Sequence, residues 1–223
     1  MEQRFIRNFP ALTSEEQTSL ASKHILIAGC GGLGGYLLEY MLRLGIGSVT
    51  VADGDRFDCS NLNRQLLSEI SLLGKSKAEA AKLRAEKINP GVKVSAFGEF
   101  ISEGNVSEMI SGCDAVLDAL DNIKSRKILA YACSSAGIPF IHGAISGWTA
   151  QAAISLPGDG LIDILYPKSA ELKDGGVLSF TPALCAAMQA ALCTKLLCGR
   201  QIETGKLYCF DLLNMDFESI PLG

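Results

Sequence analysis

The stretch His24-Ile25-Leu26-Ile27-Ala28-Gly29-Cys30-Gly31-Gly32-Leu33-Gly34 decides how the rest of the chain is read. A short apolar run is consistent with a strand buried in a parallel sheet. The run ends in Gly29-Cys30-Gly31-Gly32-Leu33-Gly34, which fits Gly-x-Gly-x-x-Gly, and Leu33 to Leu44 then follows with helical spacing until Gly45 stops it. Strand, glycine turn and helix in that order point amide donors at an anion, and the glycines let a ligand approach the backbone where a Cβ would block it. A tight turn without a ligand is the bland alternative, and the strand and helix on either side weigh against it. Asp53 stands at the end of the next strand, Ser48 to Ala52, where it can accept hydrogen bonds from a ribose.

Working outward, helices and strands alternate. Residues 1–23 read as polar and helical, with Thr13-Ser14-Glu15-Glu16 resembling a helix start. Ser76 to Ile88 is a helix closed by Asn89-Pro90-Gly91, and Val92 to Phe97 is a strand. Ala115 to Asp118 is a strand, a helix runs from about Asn122 to Ala136, and Ile138 to Ile141 is a further strand. After Gly147 the pattern changes: Thr149 to Leu156, Lys206 to Phe210 and Phe217 to Ile220 are strand-like, beside a helix from about Thr181 to Leu197. The expectation is an α/β fold of Rossmann-like, doubly wound type, its mostly parallel sheet continued by antiparallel C-terminal strands. Residues 1–223 form one domain, since no repeat or Pro/Ser-rich linker divides them.

Composition removes several function classes. Twenty Lys and Arg against 24 Asp and Glu give a net charge of −4, with no basic cluster, which argues against nucleic-acid binding. The N-terminus reads as no secretory signal. The richest apolar run, Val177 to Cys198, is interrupted by Pro182, Gln189 and Lys195 and reads as a core helix and not a membrane span. The eight cysteines include no Cys-x-x-Cys pair and mostly sit in apolar patterns, so they read as reduced thiols in a cytoplasmic protein, with no zinc site expected.

Three further clusters bear on the ligand: Asp53-Gly54-Asp55, Ser60-Asn61-Leu62-Asn63-Arg64-Gln65 and Gly74-Lys75-Ser76-Lys77. Arg64 offers a rigid fork and Lys77 a point charge, suited to phosphates on which charge develops as pyrophosphate leaves. Singly, each reads as a solvated surface charge. Leu117-Asp118-Ala119-Leu120-Asp121-Asn122 ends a parallel strand, where open α/β sheets bind ligands. Asp121 there either holds Mg²⁺ or, with Asn122, caps the following helix. Cys30 at a helix N-terminus invites a reactive thiol, although that loop position accepts many small side chains. His24 and His142 read as structural, and Trp148 either lines a channel or packs in the core.

These motifs, in this order and together with Arg4-Phe5-Ile6-Arg7, resemble the HesA/MoeB/ThiF family of sulfur-carrier adenylyltransferases, relatives of ubiquitin-activating enzymes. The likeness runs from Arg4 to about Gly199. It implies an enzyme that binds Mg-ATP and the Gly-Gly tail of a small ubiquitin-like sulfur-carrier protein, joins AMP to the terminal carboxylate and releases pyrophosphate. The resemblance assigns the nucleotide to Gly29, Gly31, Gly32 and Gly34, with Asp53 taking the ribose and Asp55 in the same site. Arg64, Gln65 and Lys77 meet the phosphates with Asn61 and Asn63 nearby, Asp121 holds the metal beside Asn122, and Arg7 reaches the partner's site in a symmetric homodimer. Many relatives bind zinc through two Cys-x-x-Cys pairs that are missing here, and some carry a cysteine where this sequence has Glu171-Leu172-Lys173-Asp174-Gly175-Gly176. No sulfurtransferase domain is expected to follow. Two other readings stay open: an NAD(P)-dependent oxidoreductase, and a non-catalytic nucleotide-sensing protein on the same fold.

Overall fold

The computed structural model describes residues 3–168, 170 and 175–222, so Glu171 to Asp174, where some relatives would carry a cysteine, lie outside the described residues. The first half of the chain alternates as expected. Helix α1 (Ser14–Leu20) precedes strand β1 (His24–Ala28), and α2 (Gly32–Leu44), β2 (Ser48–Ala52), α3 (Lys77–Ile88) and β3 (Lys93–Phe97) follow. Then come α4 (Val106–Met109), β4 (Ala115–Asp118), α5 (Ile123–Ala136), β5 (Phe140–Ser146) and β6 (Thr149–Ser155). The chain ends with α6 (Leu161–Leu165), α7 (Phe180–Leu197), β7 (Lys206–Asp211) and β8 (Asp216–Pro221).

Local chemistry sets many of the boundaries. Thr13 and Glu16 close a capping box at α1, since the Thr13 hydroxyl accepts from the Glu16 amide at 3.2 Å and the Glu16 carboxylate accepts from the Thr13 amide at 2.8 Å. Ser76 caps α3 and is not its first residue, and Asn122 does the same for α5. Gly45 and Gly137 end α2 and α5 in the left-handed region, at φ 91° and 74°. The strand expected at Ile138 to Ile141 starts two residues later and runs on to Ser146. Its continuation pairs with β6 and not with β4, a tertiary outcome that residue type alone does not encode. The short helices α4 and α6 escaped the sequence reading because neither is long enough to show a period.

The strands form one sheet of eight in the order β3-β2-β1-β4-β5-β6-β7-β8. Strands β3 to β5 pair in parallel and β5 to β8 antiparallel, as the sequence suggested. Alternate residues divide the sheet between two cores. Ile25, Ile27, Val49, Val51 and Leu117 pack on the side of α2, α3 and α7, while Leu26, Val116 and Phe140 pack on the side of α4, α5 and α6. Burying each such side chain contributes about 1.5–3 kcal/mol. Helix α7 is apolar and long enough to cross a membrane by length and composition alone. In the structure Cys185, Ala186, Gln189, Ala190 and Cys193 are buried, and the helix packs on α2, β5 and β6. Strand β1 is joined through α2 to β2 on one side, whereas its other neighbour is β4. The order therefore reverses beside β1, and ligands of open α/β sheets bind at that crevice.

Candidate nucleotide site

A cleft of about 710 Å³ opens at the point of reversal. Its size suits a small-molecule ligand, for which pockets run to roughly 300–1,000 Å³. It is lined by residues that leave the C-terminal ends of β1, β2 and β4: Gly29, Gly31 and Gly32, then Asp53 to Asp55, then Ala119 to Asn122. Arg64, Gln65 and Lys77 also line it. Ten of the predicted site residues thus converge from separate parts of the sequence: Gly29, Gly31, Gly32, Asp53, Asp55, Arg64, Gln65, Lys77, Asp121 and Asn122.

The glycine loop needs its glycines for different reasons. Gly29 has φ 100°, in the left-handed region. A Cβ on Gly34 would stand 1.8 Å from the Gly29 carbonyl oxygen, so Gly34 serves the packing of helix on loop and does not line the cleft. Asp53 holds the loop in place. One carboxylate oxygen accepts from the Cys30 amide at 2.7 Å and the other from the Asp55 amide at 2.8 Å. Burial raises the Asp53 carboxyl above the ordinary carboxylate range, against the pull of those two amides and of Lys77. Cys30 has no activated thiol: burial, helped by the Asp53 charge, pushes it well above the ordinary thiol value.

Lys77 begins α3, only 6% exposed, and its Nζ lies 3.1 Å from Asp55 Oδ2. Arg64 is held by its own turn, Nη1 donating to the Ser60 carbonyl at 2.7 Å and to Asn63 Oδ1 at 2.9 Å. The Gln65 amide abuts Gly31, and its buried Oε1 has no hydrogen-bond partner among the described residues. A buried polar atom left open beside a glycine cradle suits a ligand that brings the missing partner. That partner is a donor, since Oε1 accepts; the glycine turn and the buried lysine are the groups that fit a nucleotide triphosphate.

At the strand end the two readings of Asp121 and Asn122 separate. Asn122 Oδ1 accepts from the Ser125 amide at 2.8 Å and caps α5. Asp121 is exposed to the cleft, with Asn122 Nδ2 donating to its Oδ1 at 3.3 Å. Among the described residues no group of three His, Cys, Asp or Glu could form an all-protein metal cage. One carboxylate beside a phosphate-sized space does fit Mg²⁺, which keeps its waters and binds through one or two carboxylates plus phosphate oxygens.

Other predicted residues lie elsewhere. Asn61 is 8% exposed and structural: its Oδ1 accepts from the Asp58 amide at 3.1 Å in a reciprocal cap of the Cys59–Asn61 turn. Asn63 donates to the Val177 carbonyl at 3.2 Å and borders a smaller cavity that shares Arg64 with the cleft. Arg7 sits on the Gln3–Asn8 turn and is not among the residues lining the cleft of its own chain. Trp148 is not a core residue, being 43% exposed with its ring against Phe180 at 5.2 Å. His24 is structural, its ring 2.9 Å from Thr50 Oγ1 and 3.2 Å from the Gly112 carbonyl. All eight cysteines are free.

Sequence reasoning missed the polar residues beneath the cleft. Arg126 and Asp118 are buried and paired, Nε to Oδ2 at 2.7 Å. His142, also buried, stands 2.9 Å from the same carboxylate oxygen through Nδ1. Burial alone would raise the Asp118 carboxyl; Arg126 and His142 outweigh it and hold it below the ordinary range. Burial lowers His142, so the ring is neutral. Gln189, on α7, donates to the carbonyls of Asp118 at 2.8 Å and Ile141 at 3.0 Å, and so bridges β4 and β5 where their ladder stops. A Cβ on Gly143 would stand 2.2 Å from that amide. The one available signal was a histidine in the apolar run Phe140-Ile141-His142-Gly143-Ala144; Arg126, between Lys124, Ser125 and Lys127, gave none.

Comparison with known proteins agrees with this geometry. The model of the ThiF family matches residues 3–223. The SAMP-activating enzyme E1 of Haloferax volcanii is 34% identical over 215 residues, 93% of this chain and 79% of that enzyme. The sulfur carrier protein adenylyltransferase of Thermus thermophilus is 31% identical over 226 residues, 96% of this chain and 83% of that one. Among solved structures, E. coli MccB with ATP superposes with a TM-score of 0.85 at 21% identity, over all of this chain and 72% of MccB, a likeness of fold.

Proposed function

The chain belongs to the ThiF family, and from that premise we propose that it is an ATP-dependent adenylyltransferase acting on the C-terminal Gly-Gly carboxylate of a small ubiquitin-like sulfur carrier. Its relatives are named as SAMP-activating and sulfur-carrier adenylyltransferases, which supports nucleotidyl transfer and the class of partner. The observation that carries the reading is the convergence of Arg64, Gln65, Lys77 and Asp121 on the glycine turn in one cleft. A nicotinamide enzyme has no use for those groups.

The carrier carboxylate is itself the nucleophile. Its oxygen bonds to the α-phosphorus, the bond to the β-phosphate breaks, and pyrophosphate leaves with the electron pair. No side-chain base is needed, so catalysis reduces to alignment and charge stabilisation. The glycine loop seats the nucleotide against its backbone amides. Lys77 and Arg64 face the charge that grows on the departing phosphates. Asp121 is the residue to hold Mg²⁺, which when bound neutralises phosphate charge. Arg7, which does not line the cleft of its own chain, is the residue to complete the neighbouring site of a homodimer. Eight free thiols suit a reducing cytoplasm.

The test is affinity capture with Mg-ATP, followed by mass analysis of the captured protein's C-terminus, together with ATP–pyrophosphate exchange in the presence of that protein. An adenylyl group on a terminal glycine and carrier-dependent exchange are expected. ATP binding without any exchange would select the non-catalytic nucleotide sensor instead.

A further inference from the structure

Beneath the acidic loop lies a closed ring of four buried side chains that the reaction above does not use. Arg126 Nε donates to Asp118 Oδ2 at 2.7 Å, and its Nη1 donates to the Tyr166 hydroxyl at 2.6 Å. The Tyr166 hydroxyl lies 3.4 Å from His142 Nε2, and His142 Nδ1 lies 2.9 Å from Asp118 Oδ2. One protonation pattern satisfies these four contacts, with Gln151 Nε2 also 3.4 Å from His142 Nε2 at the edge of the ring. The neutral imidazole donates from Nδ1 to the carboxylate and accepts at Nε2 from the tyrosine, which itself accepts from the guanidinium. The ring carries one positive and one negative charge, and Arg126, Asp118 and His142 are each at least 98% buried by residue.

Such a ring is a poor source of stability, because desolvating two charges offsets most of their attraction. Its directions matter more. Arg126 Nη2 donates to the Leu120 carbonyl at 2.5 Å and to the Gly143 carbonyl at 3.2 Å, while Asp118 Oδ1 accepts from the Leu120 amide at 3.1 Å. The peptide groups on both sides of Leu120 are therefore gripped by one ion pair, and the next residue is Asp121. From Gly143 and Tyr166 the same guanidinium reaches strand β5 and the end of α6, both of which line the far half of the cleft.

We propose that Arg126 is a positioning residue, which through Leu120 fixes where the Asp121 carboxylate points, with Tyr166 holding the guanidinium in register. This rests on the assignment of Asp121 to the metal. A lysine at 126 keeps the charge and the Asp118 pair but cannot span four acceptors. Tyr166→Phe is milder: it removes one hydroxyl and leaves the ion pair in place.

The experiment titrates Mn²⁺, followed by electron paramagnetic resonance, into the chain saturated with a non-hydrolysable ATP analogue. Nucleotide affinity without metal and thermal melting are measured alongside. Arg126→Lys is expected to raise the Mn²⁺ dissociation constant at least tenfold, and Tyr166→Phe two- to fivefold, with metal-free nucleotide affinity changed less than twofold. If Arg126→Lys fails to melt cooperatively, Tyr166→Phe decides. Mn²⁺ affinity unchanged in a folded variant, or metal-free nucleotide affinity falling in parallel, overturns the proposal. Absence of Mn²⁺ uptake by the unaltered chain would bring down the assignment of Asp121 itself, and this inference with it.

Discussion

Replacing Gly34 by alanine and, separately, Gly32 by alanine separates the two duties of the glycine loop. At Gly34 the new methyl would lie 1.8 Å from the Gly29 oxygen and 2.7 Å from its carbon. Opening that gap to the 3.0 Å floor of real contacts shifts α2 or the loop by about 1.2 Å, and both neighbours are backbone, which cannot rotate aside. Overpacking at such a point costs about 3 kcal/mol, and the helix preference of alanine over glycine returns about 1 kcal/mol, leaving a loss of about 2 kcal/mol. For a chain of this length that lowers the melting temperature by roughly 4–8 °C. At Gly32 a Cβ meets Pro182 at 3.5 Å, an ordinary contact, so the fold is kept while the cleft wall loses its close approach to the ligand. Gly32→Ala should melt within about 2 °C of the unaltered chain yet bind ATP at least about tenfold more weakly, since displacement on the scale of 1 Å misaligns a whole set of contacts. Differential scanning calorimetry and titration calorimetry with ATP read both quantities. The reasoning fails if Gly34→Ala melts with the unaltered chain, or if Gly32→Ala loses as much stability as Gly34→Ala.

Lys77→Met removes a buried donor from the phosphate side, and pyrophosphate exchange should fall about 10²–10³-fold. Its melting temperature should move little, because Asp55, the partner left behind, is half exposed and needs no neutralising. Exchange within threefold of the unaltered chain would remove Lys77 from the machinery. His142 makes stability pH-dependent in a stated direction. Burial lowers its pKa from 6.5, so the unfolded chain takes the proton first, and stability falls as pH drops below 6.5 towards the lower folded value, by at most about 1.4 kcal/mol per pH unit. Thermal melts from pH 7.5 to 5 should show that slope, and His142→Gln should flatten it. If Arg7 completes the neighbouring site, Arg7→Ala and Arg64→Ala chains, each inactive alone, should regain exchange on mixing. No recovery after co-refolding would place Arg7 outside catalysis.

Much of the fold lay open in the linear pattern because its causes are local. The apolar runs of β1, β2 and β4, the glycine stops after α2 and α5, and the Thr13 capping box are decided by residues within a few positions of each other. The glycine turn and the acidic residue after β2 were readable for the same reason, since strand, turn and helix are consecutive. Residue type also marked Arg64 and Lys77 as able to meet phosphates and Asp121 as able to hold a metal, while Gln65 came from the family resemblance.

What each of those groups does with its bonds is a matter of long-range burial. Asn61 and Asn63 look alike in sequence, yet one caps its own turn and the other bonds a carbonyl 114 residues away. Cys30 occupies a position that would activate an exposed thiol, and the closed core around it does the reverse. Arg126, four residues beyond the Asn122 cap, would pass for a solvated charge; only the packing of β4, β5 and α6 around it makes it the hub beneath the cleft. A chain's own order fixes where strands and turns begin, through interactions spanning one or two helical turns. Which side chains lose water, and which partners they then must find, depends on surfaces that meet only after the sheet has closed.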